Sequence, residues 1–182
     1  MRHPFQAIPV GWWRGISYVV LLSLTLFIQS NMNLDLKPKR MIYLELAGTK
    51  DKADKVIDDW KASGTFENAL TLQKWDDFFL IFYSLALSLA CVIVTDVMFS
   101  PASSGYRLGL ALAWAALLAG VLDFIENRAI NRMLAGPVEN YWPQLSLICA
   151  GLKFLILIVC FIYVLGGLVA RFSILKPPAA SS

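Results

Sequence analysis

Hydrophobic residues gather in four long runs, over residues 16–28, 78–99, 108–125 and 145–170. A helix needs roughly 20 apolar residues to cross about 30 Å of hydrocarbon at 1.5 Å per residue. The second and fourth runs meet this outright, and the third does so by continuing through Asp123 and Asn127. The first is shorter and follows Arg2 and Arg14, as the apolar part of a secretory signal would. However, Phe27-Ile28-Gln29-Ser30 lacks the small residue expected before a cleavage point, so an uncleaved span starting near Trp12 and Trp13 is predicted, with Arg14 snorkelling to the interface.

The connections give the topology. Residues 100–107, with Pro101 and Gly105, and residues 134–144, with Gly136-Pro137 and Pro143, read as turns. Only the loop at 32–75 is long. Within it Ala53, Val56, Ile57 and Trp60 form one apolar stripe on a helix that Thr49 would cap and Ser63-Gly64 would close. Its opposite face is charged throughout, so this helix lies on the bundle or in the membrane interface, with Trp60 as its interface anchor. The expectation is a single all-α membrane domain over 1–182, a four-helix up-down bundle with spans near 12–31, 76–99, 107–130 and 144–171 and one amphipathic helix in the first loop.

Composition agrees: 58% of the 182 residues are apolar or aromatic. The net charge of +3 is scattered, which leaves membrane lipid as the natural contact and gives no patch for nucleic acid. A protein partner or a second copy of the chain is compatible with outer helix faces that are apolar. Cys91, Cys149 and Cys160 fall inside apolar runs, where desolvation makes a thiol a poor nucleophile. His3, beside Pro4, reads as a solvated flank residue. Sidedness is contested: most Lys and Arg lie on the long-loop side, yet Arg14 and Arg171 abut the first and last spans and favour cytoplasmic termini.

Ionisable residues inside spans cost about 2.5–3.5 kcal/mol at mid-bilayer and usually face protein. Here they converge. Asp123, Glu126 and Asn127, at i, i+3 and i+4, share one face of the third span with Gly109, Ala113, Ala116, Ala119 and Gly120, small residues that admit a neighbouring helix. The second span carries a polar stripe of Asp77, Ser84, Ser88, Cys91 and Thr95. Antiparallel topology then puts Gln29 at the end of span one, Asp77 at the start of span two, the acidic face at the end of span three and Lys153 early in span four in one leaflet, below the long loop. Lys153 needs an acidic partner, and Asp123 or Glu126 supplies it. Two readings stand: a clamp that fixes helix register, or a polar pocket that binds a ligand, relays protons or acts as acid and base. No cofactor or metal motif appears, although paired carboxylates are able to hold Mg²⁺.

At Glu45-Leu46-Ala47-Gly48-Thr49, Trp60, Asp77-Phe78-Phe79, Leu122-Asp123-Phe124-Ile125-Glu126-Asn127 and Lys153-Phe154, over residues 42–155, the chain resembles bacterial four-span membrane proteins with an LDxxEN-type third helix. The resemblance implies the fold and a place in a bacterial cytoplasmic membrane, and no activity. Function is therefore expected to be a non-enzymatic lipid- or small-molecule-binding protein or an accessory subunit, with a small membrane enzyme or proton-coupled carrier as the alternative.

Overall fold

The computed structural model describes residues 3–174, with side chains described through residue 171. Six α-helices make up the described chain: α1 (Trp12–Asn31), α2 (Ile42–Glu45), α3 (Lys50–Ala62), α4 (Phe66–Met98), α5 (Ser104–Ala135) and α6 (Tyr141–Ile174). A 3-10 turn at Pro4–Ala7 precedes them, and no strand occurs among the described residues. Helices α1, α4, α5 and α6 are each long and apolar enough to cross a membrane, the architecture of a multi-pass membrane protein. They alternate in direction. Helix α4 is the most enclosed, packing against α1, α5 and α6, whereas α1 rests chiefly on α4 and leaves most of its surface outward.

The α4–α5 contact is built on small residues. Gly109, Ala113, Ala116, Ala119 and Gly120 are all buried, and a Cβ added at Gly120 would sit 2.7 Å from Ser84 Oγ. One added at Gly109 would collide with Thr95 Oγ1 and Tyr163 Oη. Close approach brings the Ser88 hydroxyl to a carbonyl of α5, while Ser84 and Thr95 donate to carbonyls of α4 itself, so every hydroxyl of the stripe is satisfied. Ser88 donates to Ala113 O at 2.8 Å and Thr95 to Cys91 O at 2.6 Å. The three cysteines are free and buried.

Helix α4 runs for 33 residues. At 1.5 Å per residue that is about 50 Å, well beyond the hydrocarbon thickness, so its first turns stand clear of the bilayer on the loop side. With the end of α5 they form the base on which α3 folds. Ala53, Val56, Ile57 and Trp60 of α3 are buried against Leu44, Leu72, Ile130, Met133, Leu134 and Val138. Trp60 is therefore no headgroup anchor. It is fully enclosed, its indole N–H donating to Lys39 O at 2.6 Å, because the protruding ends of α4 and α5 offer an apolar partner closer than the lipid. Thr49 does stand at the α3 N-cap, but its hydroxyl makes no cap bond, and Gly64, at φ +72°, closes the helix.

The N-terminal segment also departs from expectation. His3 is 2% exposed, wedged between Phe5 and Trp114. Its Nδ1 accepts from Phe5 N, so the proton of the neutral ring resides on Nε2, 3.2 Å from Ser88 Oγ. Arg14 does not snorkel. It is buried, donates to Ile8 O at 2.9 Å and pairs with Asp96 of α4, which supplies a countercharge nearer than water.

The alternation of the four helices predicts the outcome of labelling single cysteines introduced at exposed positions outside the spanning helices. Ala62→Cys and Asn140→Cys should react with an impermeant maleimide from one side, and Ala102→Cys from the other. Reaction of Ala62→Cys and Ala102→Cys from the same side is incompatible with this topology.

Candidate functional site

Lys153, on the second turn of α6 past Ser146, is 6% exposed and its ammonium is held by two carboxylates of α5. It donates to Asp123 Oδ1 at 2.7 Å and lies 2.7 Å from Glu126 Oε2, in an ion contact off the hydrogen-bond direction. The i, i+3 spacing on α5 sets both acids on one face, so a single ammonium meets both. Tyr83 of α4 completes the shell by donating to the other Asp123 oxygen at 2.8 Å. Three helices thus meet at one carboxylate.

Around this centre the acidic charge continues. Glu45 of α2 faces Glu126 and feels Lys153 and Asp123, and Asp76 of α4 lies in the field of Asp123, Lys153 and Glu45 and meets the side chain of Asn127. Glu45 is fixed from behind, where Ser146 of α6 donates to its carbonyl at 3.1 Å. Four carboxyl groups therefore lie in the field of one ammonium, and two of them, Asp123 and Glu126, are in contact with it. Burial, with the nearby Asp123 charge, raises the pKa of Glu45 above its ordinary value, while Lys153 opposes the rise.

Of the predicted cluster, Asp123, Glu126, Asn127 and Lys153 come together, and Asn127 is wholly buried. Asp77 does not join the buried group. It lies on the flank of the α4–α5 contact, bound through both oxygens by Arg128 at 2.5 Å, with Asn127 Nδ2 3.4 Å away. Its neighbour Asp76, about 100° further round the helix, turns inward instead. The seven-residue step back from Ser84 selects Asp77 correctly as α5-facing, but only the fold reveals that α5 presents Arg128 and an outer flank there. Gln29 is exposed at the mouth of a cavity and does not touch the ion pair. Sequence reasoning missed Asp76, Tyr83, Glu45 and Gln73. Depth in the second span was the available signal for Tyr83; Gln73 falls in the segment read as loop, and Glu45, although it opens the Glu45–Thr49 stretch that carries the resemblance, is brought to the site only by the fold.

The cavity, of about 900 Å³, is enclosed by the end of α1, the segment after it, α2 and the start of α4. Glu45, Gln73 and Asp76 line the side nearest the ion pair, while Arg40, Asp35 and Gln29 line the rest of its polar wall. Gln73 is 2% exposed and its amide nitrogen has no partner among the described residues; the same holds for Asn127 Oδ1. A buried amide N–H left unpaired costs about 1–3 kcal/mol, which makes it a group that gains from an incoming acceptor. Among the described residues no group of three or more acids, histidines or cysteines is arranged to hold a metal ion.

Comparison with known proteins finds no matching family model, no matching curated protein and no matching solved structure.

Two predictions follow from this geometry. Lys153→Met should cost about 3–5 kcal/mol, a drop of roughly 10 °C or more in detergent, because it strands two buried carboxylates, whereas Asp123→Asn, which leaves Glu126 against the ammonium, should cost less. The double variant should lose clearly less than the sum, and strictly additive losses would exclude the pairing. For Glu45 the sign is that of an acid whose folded pKa is raised: the folded state holds a proton that the unfolded state releases, so this group favours folding at low pH and less so as pH rises. The melting temperature should therefore fall from pH 4.5 upward more steeply in the wild type than in Glu45→Gln, and parallel profiles would contradict the burial of this carboxyl.

Proposed function

We propose that this protein is a non-enzymatic binding protein of a bacterial cytoplasmic membrane that holds a small cationic amphiphile, with the amine in the cavity beside Glu45 and Asp76. The carrying observation is the carboxyl-bearing wall of an accessible space: a cavity of about 900 Å³ lined by Glu45 and Asp76, neither of which has an ion-pair partner among the described residues, with Arg40 as the one basic residue of its lining. An ammonium between Glu45 and Asp76 would give these carboxyls a cationic partner. The volume suits a headgroup or small molecule, and the cavity lies at the loop-side ends of the spans, where an amphiphile keeps its chain in lipid.

Catalysis is less well supported. The one hydroxyl side chain in the lining, Ser30, is engaged with Phe27 O at 2.7 Å, and Lys153 is tied to two carboxylates. A proton-coupled carrier is the second reading, favoured by the facing carboxyls of Glu45 and Glu126, which are suited to share a proton. The long loop is proposed to be cytoplasmic. It carries the larger number of Lys and Arg residues, which we set above the two, Arg14 and Arg171, that abut the first and last spans on the side of the termini.

In a neutral maltoside detergent, dodecylamine at about ten times its dissociation constant should raise the melting temperature by about 3–5 °C, and dodecanol should not. Asp76→Asn should abolish the increment. Equal effects of amine and alcohol, or an undiminished increment in Asp76→Asn, would refute the site. Amine-driven proton uptake in proteoliposomes would instead favour the carrier.

A further inference from the structure

The outer side of α2 carries a second recess that the amine-binding reading does not use. It measures about 430 Å³, with a floor of Ile42, Tyr43, Leu46 and Val56 and three lysines, Lys39, Lys52 and Lys55, around it. Lys39 is fixed in place, since Trp60 bonds its carbonyl and Asp59 pairs with its ammonium at 3.0 Å. Lys52 and Lys55 are exposed and make no ion pair among the described residues. The recess thus combines an apolar floor with two lysine ammonium groups at its rim that are open to a ligand.

Its position relative to the membrane follows from α6. Ser146 bonds the α2 carbonyl of Glu45, and Gly48 lies so close to Leu147 that an added Cβ would be 2.8 Å from its Cδ2. Leu147 and Ile148 themselves face outward, at 40% and 60% exposure, as do Tyr43 and Leu46, at 56% and 43%. The exposed apolar surface of α2 is therefore level with the first lipid-facing turn of α6. Lysines just beyond such a surface stand at headgroup height.

We propose that this recess binds the headgroup of an anionic phospholipid, with Lys52 and Lys55 contacting the phosphate and the acyl chain leaving over Leu46 toward Leu147 and Ile148. Charge complementarity selects an anionic lipid over a zwitterionic one, and the apolar floor selects a lipid over a free anion. The fixed backbone of Lys39 gives the recess a defined edge, unlike lysines scattered on a solvated face.

The test uses the full-length chain released from nanodiscs containing equal phosphatidylglycerol and phosphatidylcholine, with retained lipid counted by native mass spectrometry. Wild type should keep phosphatidylglycerol over phosphatidylcholine by about tenfold. Lys52→Gln/Lys55→Gln should bring that ratio close to one, with unchanged melting temperature in phosphatidylcholine alone, while Lys52→Arg/Lys55→Arg should preserve it. Lys74→Gln/Arg132→Gln, which removes two exposed charges on the same side but outside the recess, should leave it intact. The proposal is overturned if wild type shows no preference, if the Lys52/Lys55 glutamine variant retains it, or if the control pair abolishes it equally.

Discussion

A lysine ammonium two turns inside a membrane span cannot stay charged in hydrocarbon without close compensation, and here Asp123 and Glu126 provide it from the facing helix. Much of the loop-side architecture depends on that contact. It fixes α5 against α6 in one register, since moving either helix by a turn would leave a charge buried alone. It also recruits Tyr83 from α4, so three of the four spanning helices are tied at a single carboxylate. The packing of small α5 residues against the hydroxyl stripe of α4 lets the helices come close enough for these bonds to form.

The opposite end of the bundle solves a similar problem by a different route. His3, Ser88 and the Ala113 carbonyl form a short hydrogen-bonded chain, and Arg14 is neutralised by Asp96, so the polar groups of the N-terminal segment are satisfied inside the protein. That leaves the loop side as the place where polar capacity is left over. Gln73 and Asn127 each retain a buried atom there that has no partner among the described residues, beside the carboxyls of Glu45 and Asp76. Helix α2 is the wall between the two recesses, with Ile42 lining both: Glu45 turns toward the ion pair and Tyr43 and Leu46 turn toward lipid.

The sequence by itself determined the spans, their alternation, the α3 stripe and the meeting of Asp123 and Glu126 with Lys153. These follow from hydrophobic length, helical periodicity and the cost of an unpaired charge in lipid, all of which act along or between neighbouring helices. Tertiary structure decided the rest. Whether Trp60 meets lipid or protein depends on how far α4 and α5 project past the bilayer. Whether Asp76 or Asp77 turns toward the cavity depends on where the segment after α1 folds back, and Glu45 reaches the ion pair only because Ser146 and Leu147 dock α2 on α6. His3 is buried because a short segment without periodicity of its own takes its place from the groove that other helices leave, and Arg14, in the first turn of α1, because Asp96 of α4 faces it; no local pattern encodes either neighbour.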